Sequence, residues 1–462
     1  MTTAGAHLLA TYLRTRSFDA RVRTPAGVAR WQERRARRFL PDVVAASPFY
    51  RSHLAGWDVE SWRSWPIVDK GMLMAEFDRW TTCGVRLADA LAVAEDAERS
   101  RDFAPLLGDL AVGLSSGTSG RRGVFIASAR ERAAWAGAVL ARTMPGSILA
   151  RHRVAFFLRA NSQLYEAVGS RRLRFRFFDL CQPFETHLAP LAELDPTVLV
   201  GPPSLLAALA DEAACGRLRM APHKVISVAE TLEPPDEARI AAAFGAPVHQ
   251  VYQATEGFLA ATCRRGTLHV NEDIVAIEPE WLDGTAADLA GDRGTATAVM
   301  PAGAHPHRAS GTHFVPIVTD LHRATQPVIR YRLDDVLVAA ARACPCGSPR
   351  RALAAVDGRR DDVFIGDGAA GRVPVFADAL RRAFVVAAPE AVGWRAVQTA
   401  AGRVELAIAP LAAGGRAAEG LRAAFIDAGA RPPDVEVRPL GPERPGPDKR
   451  RRLVRAWSVD AA

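Results

Sequence analysis

Between residues 105 and 260 the chain alternates short apolar runs with stretches of helical spacing: Val154–Leu158, Leu205–Ala214, Lys224–Val228, Ala238–Phe244 and Val248–Tyr252 follow one another. A chain with this rhythm has few ways to fold. Successive parallel strands need a crossover to reach one another, and helices supply it. The alternation therefore predicts a largely parallel sheet covered by helices. Residues 1–100 read as helical, with apolar positions at helical spacing around Trp31–Val44, and residues 265–356 read as strands and turns punctuated by Pro and Gly. Beyond Gly358 the pattern restarts: strand Val363–Ile365, helix Ala377–Val386, strands Trp394–Thr399 and Val404–Ala409, helix Ala417–Ala428 and strand Val435–Arg438. At 462 residues the chain exceeds one compact core. The expected fold is a large N-terminal α/β domain of mixed sheets covered by helices, with a β-rich subdomain, followed by a small α+β C-terminal domain. The expected boundaries are a helical N-terminal subdomain at 1–100, the core of the large domain at 101–357, a hinge at 358–362 and the small domain at 363–462.

Apolar residues make up 49% of the chain and charged residues 24%, ordinary values for a globular protein. No run of about 18 uncharged apolar residues predicts a membrane span, and the first residues carry no signal-type apolar core, so a cytoplasmic protein is expected. The net charge of +8 is spread along the chain with acids interspersed, apart from the basic run Lys449–Arg452. That distribution argues against a nucleic-acid-binding face and suits anionic small-molecule substrates. Only three of the 59 basic side chains are lysines: Lys70, Lys224 and Lys449. Where arginine is the default cation, a retained lysine marks a place for a compact, flexible charge.

Directly after the apolar run Leu110–Leu114 comes Ser115-Ser116-Gly117-Thr118-Ser119-Gly120. Such a loop can present backbone N–H groups and hydroxyls to an anion, or it can be a plain turn. It lacks the lysine of the common phosphate loop. Thr255 and Glu256, within Tyr252–Gly257, follow a predicted strand, at the end where α/β sheets bind ligands. Thr can donate to a phosphate, and Glu can hold Mg²⁺ through oxygen. The acidic pair Asp334-Asp335 can accept from a ribose diol or form a structural ion-pair cluster.

Taken in order, these elements resemble the adenylate-forming superfamily of acyl-CoA synthetases and adenylation domains, and within it the branch of phenylacetate–CoA ligase and the deazaflavin-coenzyme synthetase. The resemblance runs from about residue 30 to 455. It rests on Ser47–Tyr50, Trp65–Lys70, the loop at 115–120, Val228–Glu233, Tyr252–Gly257, Pro327–Arg332, Cys344–Gly347 and Gly358–Asp362. It implies two half-reactions: a carboxylate attacks the α-phosphate of ATP to give acyl-AMP, then a thiol of CoA or of a carrier protein takes the acyl group. By the resemblance, Ser115, Ser116, Gly117, Thr118 and Gly120 hold the β/γ-phosphates, Ala229, Glu230 and Tyr252 border the adenine, Thr255 touches the α-phosphate, and Glu256 binds Mg²⁺. Asp335 holds the ribose with Arg359 nearby, Asp361 is the hinge of a mobile C-terminal domain, and Lys449 bridges carboxylate and α-phosphate. The sequence departs from the family's pattern at Gln253, where Gly is usual, at Leu333-Asp334 in place of Thr-Gly, and in the Gly-Pro-Asp approach to Lys449.

Two further groups complete the expectations. Cys263-x5-His269 and Cys344-x-Cys346 offer three thiolates and one imidazole, a closed tetrahedral Zn²⁺ set of the structural kind, or two unlinked turns. Phe157, Asn161 and Tyr165 suit a flat, hydroxylated ring, or are ordinary core residues. The expected activity is thus ATP-dependent activation of an acid, aromatic by the resemblance, by a monomer or homodimer with CoA or a carrier protein as partner. The alternative leaves AMP on an aromatic hydroxyl, as the deazaflavin synthetase does.

Overall fold

The computed structural model describes residues 3–115, 123–146, 149–282, 313–369, 371–441 and 450–457, the side chains of Asp361 and Asp378 excepted. The strands in chain order are β1 (Ala111–Leu114), β2 (Val124–Ala127), β3 (His152–Leu158), β4 (Leu173–Asp179), β5 (Val198–Gly201), β6 (Lys224–Ser227), β7 (Val248–Ala254), β8 (Gly257–Thr262), β9 (Leu268–Val270), β10 (Val275–Trp281), β11 (His313–Asp320), β12 (Tyr331–Arg332), β13 (Asp335–Ala339), β14 (Ala352–Arg359), β15 (Phe364–Gly368), β16 (Gly371–Val375), β17 (Gly393–Ala400), β18 (Arg403–Ala409), β19 (Asp434–Pro439) and β20 (Leu453–Arg455).

One 12-stranded sheet dominates, in the order β10-β11-β13-β14-β9-β8-β7-β6-β5-β3-β4 with β12 on β11. Strands β3 to β7 are parallel, as the alternation predicts. From β7 onward the sheet turns antiparallel, through β8, β9, β14, β13, β11 and β10. Among the parallel strands the central β5 is apolar and buried along its whole length, as a strand covered on both faces must be, whereas the edge strand β4 carries Arg174 and Arg176. Helices Pro203–Ala214 and Pro234–Phe244 cover one face through Leu205, Leu206, Leu209, Ile240 and Phe244. On the other face lies helix Ala129–Thr143, opened by a reciprocal capping box between Ser128 and Glu131.

Helix Thr3–Arg16 lies across that helix, and their closest approach is at Gly137, where a Cβ would stand 2.3 Å from the Leu8 carbonyl oxygen. Only glycine fits there. The helices of the first hundred residues share a core with the antiparallel half of the sheet, through Leu40, Tyr50, Trp62 and Phe77 against Phe258, Val275, Phe314 and Leu337.

The small domain carries a four-stranded sheet, β19-β18-β17-β20, backed by helices Ala377–Ala387 and Gly414–Asp427. Its own core forms around Leu380, Phe384, Leu406, Leu421 and Phe425. A large N-terminal α/β domain with a smaller α+β C-terminal domain is therefore what the chain builds.

Candidate active site

Strand β7 turns tightly into β8, with Ala254 paired to Gly257, so Thr255 and Glu256 form the tip of the turn. This tip stands at the C-terminal edge of the parallel strands. Thr255 Oγ1 donates to Glu256 Oε2 at 2.9 Å, the Tyr331 hydroxyl donates to the same carboxylate, and Arg323 donates to the Thr255 carbonyl. A cavity of about 540 Å³ opens from the tip.

Lys70 lines this cavity from the first residue of helix Lys70–Ala75. Burial pushes its pKa below the usual lysine range, while the Glu256 carboxylate works against that shift and Arg359 adds to it. A Cβ on Gly123 would stand 3.3 Å from Lys70 Cε, so the side chain passes close by the backbone there. Strands β1 and β2 pair antiparallel, and the ends of their connecting loop are tied by Ser115 N to Gly123 O and Gly123 N to Ser115 Oγ, both at 2.7 Å. Ser116, Gly117, Thr118 and Gly120 lie outside the described residues, as does Lys449.

Ala229 lines the cavity with φ at +69°, a left-handed backbone for a non-glycine residue. Such conformations cost about 1–3 kcal/mol and persist where the surroundings fix them, often at ligand sites. Beside it, Glu230 Oε1 accepts from Ser204 Oγ at 3.1 Å and from the Arg450 backbone N at 2.9 Å, while Oε2 accepts from Ser204 N at 3.2 Å. Across the cavity the Tyr252 hydroxyl donates to Asp335 Oδ2 at 2.5 Å. Burial, reinforced by the Asp335 charge, holds the Tyr252 hydroxyl protonated well above the usual tyrosine range. Asp335 begins β13 and pairs with Arg359 on β14, and Arg359 also lines the cavity. The structure thus brings Ser115, Ala229, Glu230, Tyr252, Thr255, Glu256, Asp335 and Arg359 around one cavity. The backbone of Asp361 lies in the helical turn Arg360–Asp362 that follows β14.

The apolar arm of the cavity runs between helix Ala129–Thr143 and the parallel strands. Tyr165 lines it, 4.9 Å from the Phe156 ring and 5.6 Å from Trp135 by ring centroids, and burial raises its pKa to about 12. Two expectations need correction here. Phe157 is fully buried on the opposite face of β3, stacked on Phe178 at 4.5 Å, because neighbours on a strand point to opposite faces; Phe156 takes the cavity side. Asn161 does not line the cavity and instead donates from Nδ2 to Glu166 Oε1 at 2.6 Å.

The small domain is anchored beside this cavity. Arg381, on helix Ala377–Ala387, donates to Glu233 Oε1 at 2.8 Å and to Asp357 Oδ1 at 2.6 Å, and both carboxylates are buried. Arg450 and Arg452 both pair with the buried Asp236, and Arg451 pairs with Asp362.

The two cysteine-bearing turns meet. One donor atom from each of Cys263, His269, Cys344 and Cys346 lies within 4.8 Å of the others. His269 Nδ1 lies 3.0 Å from the Arg350 carbonyl. A carbonyl only accepts, so Nδ1 carries a proton, and Nε2 faces the thiols, 3.5 Å from Cys346 Sγ.

The sequence reading singled out neither Trp135, Arg323 nor Tyr331 for the site. Lys70 carried two signals, the scarcity of lysine and its place at the end of Trp65–Lys70.

No protein-family model matches the chain, and no curated protein does. Among solved structures it is similar to 2-hydroxyisobutyryl-CoA ligase in the postadenylation state in complex with an acyl-AMP, R3-HIB-AMP (18% identity, TM-score 0.64, covering 94% of this chain and 90% of that one). The same ligase with 2-HIB-AMP and CoA in the thioesterification state matches at 20% identity and TM-score 0.52, covering 96% and 91%. A GH3.15 acyl acid amido synthetase matches at 13% identity and TM-score 0.54, covering 87% and 84%. The chain therefore shares the fold of these structures, large domain and small domain together.

Proposed function

We propose that this protein is an ATP-dependent acid–thiol ligase. A carboxylate oxygen of the acid attacks the α-phosphorus of ATP, forming acyl-AMP and releasing pyrophosphate. The thiol of CoA or of a carrier protein then displaces AMP. The observation that carries this reading is the convergence of Thr255, Glu256, Tyr252, Asp335 and Ala229 on one cavity with an apolar arm.

Each side chain has a physical task in this scheme. Glu256 is the oxygen donor for Mg²⁺. Tyr252 fixes the Asp335 carboxylate that accepts from the ribose diol. Thr255 donates to the α-phosphate. Lys70 supplies a second, fixed cation on the pyrophosphate side of the cavity, where charge accumulates on the leaving group. Lys449 is the reacting-phosphate cation; its chain neighbour Arg450 lines the cavity and donates its backbone N–H to Glu230. The segment 358–362 is the hinge, with Asp361 at its pivot. The aromatic wall of Phe156, Tyr165 and Trp135 supports an apolar, aromatic-compatible acid.

The donor set Cys263, His269, Cys344 and Cys346 fits a structural Zn²⁺: all four protein ligands are present, so no position remains for substrate. Zinc there would tie β9 to the turn before β14, strands otherwise paired only at Leu268–Leu353 and His269–Ala352.

Pyrophosphate exchange into ATP, driven by a panel of carboxylic acids, tests the reading, and acid-dependent exchange with a hydroxylamine-trappable acyl group is expected. Exchange that needs no carboxylate, with a stable AMP ester of a phenol as product, overturns it in favour of adenylyl transfer to a hydroxyl.

A further inference from the structure

The strand that carries Tyr252, Thr255 and Glu256 also carries Gln253, and Gln253 lines the same cavity. Its side chain faces helix Ala129–Thr143, where Trp135 Nε1 donates to Gln253 Oε1 at 3.1 Å. An indole N–H can only donate, so the amide oxygen of Gln253 is the atom that faces Trp135. The two N–H bonds of Nε2 are then turned away from Trp135, and among the described residues no protein acceptor meets them. Gln253 and Thr255 stand two positions apart, about 7 Å along an extended chain. In the scheme proposed above Thr255 meets the α-phosphate, so a donor displaced by that distance toward the apolar arm lies alongside the first carbons of the acid, beyond its carboxylate. The neighbouring wall is apolar: Phe156, Trp135, Val228 and Ala254 also line the cavity. Gln253 is half-buried, and a donor placed in such a wall discriminates between acids that meet it and acids that do not.

We propose that Gln253, held by Trp135, is a specificity residue that selects acids bearing an acceptor oxygen, a hydroxyl or keto group, on the carbons next to the carboxylate. This rests on the ligase reading above and names the substrate class of the same site. An acid without that oxygen leaves the Nε2 donors unmet; an acid with it meets them and stays in register with the α-phosphate.

The test compares matched acids, mandelate with phenylacetate and 2-hydroxyoctanoate with octanoate. Two readouts are used: acid-driven pyrophosphate exchange, and calorimetric binding of each acid to the protein without ATP. The oxygenated member of each pair is expected to win by about 10-fold or more. Gln253→Met, similar in length but without N–H donors, should bring the ratio to near one. Trp135→Phe, which frees the amide to turn, should also lower it. A ratio near one in the unaltered protein, or a ratio that survives Gln253→Met, overturns the proposal. Exchange with none of the acids, while the binding ratio stands, sinks the ligase reading and leaves the selectivity proposal in place.

Discussion

Replacing Tyr252 with Phe removes one oxygen atom from the site. The lost contact is the 2.5 Å hydrogen bond to Asp335 Oδ2. A hydrogen bond to a charged group contributes about 1.5–3 kcal/mol. Asp335 borders an open cavity, so water replaces part of what is lost and the lower end applies. With 1.4 kcal/mol per decade, about a 10-fold loss in kcat/KM for ATP follows. It should fall mainly on KM, because Asp335 is assigned to the ribose, which does not change between ground and transition state. The assay is pyrophosphate exchange at saturating acid with ATP varied, beside a thermal melt to show that the variant is folded. The Tyr252 hydroxyl stays protonated far above neutrality, so the defect should be constant between about pH 6 and 9. A folded variant with an ATP KM changed less than about twofold would refute the assignment of Asp335 and Tyr252 to the ribose.

Lys70 has a pKa below the usual lysine range, so its charge, and with it kcat/KM for ATP, should fall as pH rises through a value below 10.5, the ordinary lysine reference; Lys70→Arg, charged throughout, should flatten that limb in a pH–rate profile. Phe157→Ala should destabilise the large domain by about 3–5 kcal/mol, read in denaturant, yet leave the ranking of acids unchanged, whereas Phe156→Ala should change that ranking. Metal analysis of the purified protein should find about one zinc per chain, and Cys344→Ser should lose it and lower the melting temperature; a metal-free, equally stable protein would speak against the site.

The parallel half of the sheet was legible because period and composition agree: short runs with apolar centres alternate with stretches of helical spacing. The small domain was legible for the same reason, its predicted elements falling within a few residues of β15, β17, β18, β19 and the helices Ala377–Ala387 and Gly414–Asp427. Within β3 the pattern failed at one residue. Two adjacent phenylalanines satisfy either facing equally, so which of Phe156 and Phe157 meets the cavity depends on helices far away in sequence. Asn161 was misread because Glu166, its hydrogen-bond partner, is a local competitor for its amide. The cysteine turns, about 75 residues apart, are brought together by β9 pairing with β14, which spacing alone does not decide. Arg323 escaped notice because nothing local distinguishes it, and Tyr331, although inside Pro327–Arg332, was given no role; they reach Thr255 and Glu256 only through the closing of the antiparallel half.

The turn between β7 and β8 has a consequence for altering this protein by design. In many α/β folds the reacting groups sit on long connections that can be exchanged without disturbing the scaffold. Here Thr255 and Glu256 occupy the two-residue seam where the parallel half of one continuous sheet becomes antiparallel, and a single inserted residue would shift the pairing of β8 and every strand beyond it. Changes of acid preference must therefore enter from the side, through helix Ala129–Thr143 and strand β3, which can be repacked while the seam is left intact.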